Sequence, residues 1–91
     1  MEAGRRTSYL VECFWPSVSP EQLADVETRV EAAASALRGE GREIDFVGSI
    51  LVIVDESVFC LFDGCETDVR SVSQEAGIPF ERVLETVRRG L

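Results

Sequence analysis

The stretch IDFVGSILVIVDESVFCLF, residues 44–62, decides the fold. Two runs rich in β-branched and aromatic residues, 44–54 and 58–62, are separated by Asp55, Glu56 and Ser57, a gap that only a tight hairpin spans. Ile44, Phe46, Gly48, Ile50, Val52 and Val54 alternate with Asp45, Val47, Ser49, Leu51 and Ile53. That alternation predicts one long strand, buried on both faces towards its end, with the second strand antiparallel to it.

A hairpin alone is marginal in water, so the flanks must supply more sheet and a cover for it. Upstream, SYLVECF at 8–14 reads as a strand with Tyr9, Val11 and Cys13 on one face and Leu10, Glu12 and Phe14 on the other. Pro16 helps to stop it. Ser19 then stands as an N-cap, with Pro20 at the first helical position and Gln22 three residues after the cap. Leu23, Val26, Val30, Ala33, Ala34 and Leu37 form the apolar stripe of the helix that follows, which Gly39 and Gly41 end. Downstream, Asp63 and Gly64 interrupt the hairpin. Glu66 and Asp68 suit a helix N-terminus, Val69, Val72 and Ala76 make its inner stripe, and Gly77 and Pro79 end it. Phe80, Val83, Leu84 and Val87 match helical spacing, so local pattern by itself favours a helix over 80–88. The order is strand, helix, strand, strand, helix and a final element: two split βαβ units in an α+β domain spanning 8–91, behind a disordered tail at 1–7.

Composition narrows the function. The 45% apolar and 29% charged fractions are those of a globular domain, and the apolar runs are too short to span a membrane. Seventeen acids against nine bases, a net charge of −8, repel a phosphate backbone, so nucleic acid is not an expected partner. The pair Arg5 and Arg6 is not followed by a plausible secretory segment, and three cysteines make no paired framework. The expected location is the cytoplasm. The chain contains no histidine, which removes the common catalytic triad, and it has neither a phosphate loop nor a nucleophile elbow. An enzyme is not the expectation.

SYLVECF, the Ser19-Pro20-Glu21 helix start, DFVGS, VFCLF and EAGIPFERVLETV together resemble a small bacterial family first catalogued as a domain of unknown function, one actinobacterial member of which is known as a nickel-binding protein. The resemblance covers residues 8–87. Its most specific points are Glu12, Phe46, Ser49, Cys60 and Ala76-Gly77-Ile78-Pro79. It implies a ferredoxin-like βαββαβ fold: a four-stranded antiparallel sheet, two helices on one face, and a strand in place of the C-terminal helix. It also implies homodimers, sheets packed face to face as a dimeric α+β barrel, and a metal site in some members. That architecture is shared with cofactor-free monooxygenases, an analogy of fold.

The candidate ligand-binding residues are Glu12, Ser49 and Cys60, gathered in a sheet-lined cavity. A carboxylate on a central strand is paired, protonated or facing a cavity, unless it sits at a rim in water. Ser49 offers a hydroxyl to such a pocket or satisfies itself locally, and Cys60 suits plain core packing as well as a site. The candidate metal ligands are Glu12, Cys13 and Cys60, with Cys13 and Cys60 expected on parallel neighbouring strands. Nickel is the metal the resemblance implies, yet it favours imidazole, which the chain lacks. Cys65, at a helix N-terminus among acids, reads as an ordinary exposed thiol. The expectation is a small homodimer, joined through its open sheet face, that binds a ligand or metal without catalysis. A cofactor-free monooxygenase and a plain interaction module are the alternatives.

Overall fold

The computed structural model describes residues 7–89. In chain order they form β1 (Thr7–Phe14), α1 (Pro20–Gly39), β2 (Asp45–Val52), β3 (Ser57–Gly64), α2 (Glu66–Glu75) and β4 (Phe80–Thr86), with a 3-10 turn at Ile53–Asp55. The strands lie in the order β2-β3-β1-β4 with every neighbouring pair antiparallel, which is the ferredoxin-like arrangement. β1 begins at Thr7, the last residue of the expected tail; the rest of that tail lies outside the described residues. β1 and β3 run antiparallel, not parallel as expected for the strands of Cys13 and Cys60. β2 returns from α1 parallel to β1 one strand away and a hairpin then reverses the chain, so β3, lying between them, opposes both.

Local chemistry accounts for the boundaries. Ser19 and Gln22 exchange both hydrogen bonds of a capping box, with Pro20 at the first helical position. Gly77, at φ 74°, ends α2 in the left-handed conformation, and Ile78 N–H returns to the Ser73 carbonyl at 3.0 Å. The expected long strand at 44–54 is shorter and kinked. A bulge at Val47 shifts its register against β3, and the strand ends at Val52 in the 3-10 turn. Phe46 therefore shares a face with Ser49 and Leu51, while Ile50 turns to the other. The final element is a strand, with a bulge of its own between Phe80 and Arg82.

One core fills the space between sheet and helices. Val11, Cys13, Val58, Cys60 and Phe62 rise from the sheet to meet Val26, Val30 and Ala34 of α1 and Val69, Val72 and Ala76 of α2. The rings of Phe46 and Phe62 lie 5.3 Å apart at 47°. Two arginines fasten the α1–β2 link. Arg42 reaches the buried Asp68 of α2 at 2.9 Å, and Arg38 holds the Ile44 carbonyl at 2.9 Å and the Asp45 carboxylate at 3.4 Å. Among the described residues the opposite face of the sheet carries no helix. No helix among the described residues is long and apolar enough to cross a membrane.

Candidate functional site

Strand alternation sends Tyr9, Val11 and Cys13 into the core and Leu10, Glu12 and Phe14 to the uncovered face. There the register sets Glu12 between Arg82 of β4 and Phe59 of β3, with Ile50 of β2 beyond. The next row is Leu84, Leu10 and Leu61. Phe14 and Ile50 are 51% and 60% exposed, too much apolar surface to be incidental on so small a face. Within this surface Arg82 Nε donates to Glu12 Oε1 at 2.6 Å, the carboxylate 24% and the guanidinium 63% exposed. The bond to Glu12, and then its charge, raise the pKa of Arg82 further. Nε–H makes the one hydrogen bond of Arg82 to the described residues, so the rest of its donor fork is open. One end of the face is polar: Asp63 accepts from Ser8 Oγ and from Arg88, both at 2.7 Å.

The expected cavity of Glu12, Ser49 and Cys60 does not form. Ser49 and Cys60 are cross-strand partners on the helix side, whereas Glu12 projects from the other side of the sheet. Ser49 Oγ donates to the carboxylate of Glu27 on α1, a hydrogen bond that ties helix to sheet. Cys60 and Cys13 are 1% and 0% exposed. Burial, and then Glu27, push the Cys60 thiol up to about 12; burial, and then Cys60, do the same to Cys13.

The candidate metal set of Glu12, Cys13 and Cys60 is divided in the same way, because successive residues of a strand face opposite sides. Its thiols resist the deprotonation that coordination requires. Among the described residues no three histidine, cysteine, aspartate or glutamate side chains gather as a metal site, and this donor set does not fit nickel. Cys65 is exposed at the N-cap of α2. Sequence reasoning missed Arg82 and Glu27. The register that brings Arg82 to Glu12 depends on a bulge with no signature of its own. The helical period does place Glu27 beside Val26 and Val30, at the border of the buried stripe.

No family model matches the chain, and no curated protein matches it. The chain is similar in fold to the crystal structure of SCO4226 from Streptomyces coelicolor A3(2), with a TM-score of 0.69 over 91% of this chain and 99% of that one. The two are 15% identical, so the likeness shows the ferredoxin-like fold alone.

Proposed function

We propose that this protein is a homodimeric binding module whose two open sheet faces enclose a small, mostly apolar ligand bearing one acidic oxygen group. The observation that carries the reading is a single half-satisfied arginine, Arg82, set by Glu12 in a surface of Leu10, Ile50, Phe59, Leu61 and Leu84. Covering this face favours association, because apolar area leaves water. Four strands about 4.8 Å apart, three of eight residues and one of seven, give a footprint of roughly 500 Å² per copy. Two copies bury about 1,000 Å² in total, the lower bound for a specific interface. The apolar contact thus suffices without large excess and leaves room for a ligand between the sheets. A carboxylate or phenolate on that ligand engages the free N–H groups of Arg82 in the geometry guanidinium favours. The family resemblance supports dimerisation. Nickel has no part in this reading, since the donors do not converge.

Light scattering at micromolar concentration tests the dimer: the expected mass is twice the 10.1 kDa of the chain, and Leu10→Glu halves it while circular dichroism stays unchanged. Naphthoate, a flat apolar body with one carboxylate, tests the ligand class by calorimetry. Binding to the parent protein that Arg82→Gln weakens at least about tenfold supports the reading. A monomeric parent protein defeats it, as does naphthoate affinity indifferent to Arg82.

A further inference from the structure

At the end of the sheet remote from Thr7, the link between β1 and α1 meets the turn of the β2–β3 hairpin. A cavity of about 150 Å³ lies there, lined by Trp15, Ser17, Val18, Leu51, Ile53 and Glu56. Trp15, Val18 and Leu51 are half-buried, and Ser17, Ile53 and Glu56 are exposed. The one charge in the lining is the Glu56 carboxylate, and its position is fixed from two sides. Glu56 Oε2 accepts the Ser17 N–H at 3.2 Å, and its carbonyl accepts the Trp15 N–H at 2.8 Å. Ser17 and Glu56 both hold left-handed backbone, at φ 61° and 52°, a conformation that residues with side chains seldom adopt. Glu56 accepts both hydrogen bonds, which join the two turns.

The geometry points to a recognition site for a small organic cation of the alkylammonium type, seated against the Trp15 indole with its charge beside Glu56. Three features select that class. An indole attracts a cation through its quadrupole, a carboxylate supplies the counter-charge, and Val18, Leu51 and Ile53 suit alkyl groups. No basic residue lines the cavity to compete. At about 150 Å³ the cleft has room for a head group of roughly tetramethylammonium size. The excess of seventeen acids over nine bases, with no lysine among the latter, favours cations around the whole chain. The site lies on the helix side of the sheet and is independent of how the open face is covered.

Trp15 is the one tryptophan, so its fluorescence reports occupancy directly. Titration with tetramethylammonium at constant ionic strength is expected to give a saturable change, with a dissociation constant on the order of millimolar for a partly open site. tert-Butanol, a neutral molecule of similar size and shape, is expected to give none. Glu56→Gln keeps an oxygen to accept the Ser17 N–H and should weaken tetramethylammonium about two- to fivefold, the usual worth of an exposed counter-charge. A trimethyllysine peptide that binds far more tightly than the free ion identifies a protein-borne head group; equal binding identifies a free amine. Equal response to tert-butanol, absence of saturation, or unchanged affinity in Glu56→Gln would each overturn the assignment.

Discussion

Cys13, Cys60 and Cys65 share one chemistry and differ in what surrounds them. The first two are buried with thiols held near 12, while the third stands exposed at a helix start. Ellman's reagent should therefore titrate one thiol in the folded chain at pH 8 and three after denaturation; three in the folded state would contradict the packing. Asp68 offers a second test at this scale, because its side chain is 6% exposed and pairs with Arg42. Asp68→Ala removes the charge-assisted bond between α2 and the α1–β2 link and should lower the stability from urea unfolding by about 1–3 kcal/mol, the slope with urea unchanged. The face of Glu12 was legible, because alternation in SYLVECF sets it opposite Tyr9, Val11 and Cys13, while its place in a site came from the resemblance alone. Its partner was not, since the position of Arg82 depends on a tertiary register. Ser49 and Cys60 were expected beside Glu12, but they lie on the other face of the sheet, where Ser49 donates to Glu27 and Cys60 packs in the core.

Both edge strands carry a bulge, and both were the hardest to read. In β4 the extra residue places Phe80 opposite Cys13 and Val83 opposite Val11, so two residues three apart face the core and imitate a helical period. The bulge at Val47 breaks the alternation of β2 in the same way and moves Ser49 to the helix side. β1 and α1, by contrast, keep a uniform period from end to end and bury the stripe their sequences show, while α2 adds Asp68 and Ser73 to its expected Val69 and Val72. Close approach of backbones decides another junction. A β-carbon on Gly64 would stand 3.1 Å from the Glu43 carbonyl oxygen and 3.4 Å from Ile44 Cα, both main-chain atoms with little freedom to yield. Gly64→Ala should cost about 1–3 kcal/mol through that crowding. Gly39, at the end of α1, has nothing within 4 Å, and Gly39→Ala should be neutral or stabilise by up to about 1 kcal/mol. Equal urea midpoints for the two variants would refute the contact at Gly64.

Across the whole molecule, the thiols buried under the helices couple folding to alkaline pH. Cys13 and Cys60 titrate at about 12 in the folded chain against a reference of 9.0, chiefly because burial disfavours the thiolate. Below pH 9 both states hold these protons, and the thiols add no pH dependence. Between about 9 and 12 the unfolded chain releases them and the folded chain does not, so stability falls as pH rises, by roughly 1.4 kcal/mol per pH unit for each thiol. Tyr9, raised by burial above its reference of 10.0, acts in the same direction. Urea unfolding at successive pH values under anaerobic reducing conditions should show this descent from pH 9 upward. Replacing both residues, Cys13→Ala with Cys60→Ala, should start from a lower stability at pH 7 because two sulfur atoms leave the core. Its curve should nevertheless be markedly flatter from pH 9 to 11, retaining only what Tyr9 and the remaining groups contribute. Parallel curves for the parent and the double variant would mean that the thiols ionise as readily folded as unfolded, and that water reaches Cys13 and Cys60 behind the sheet.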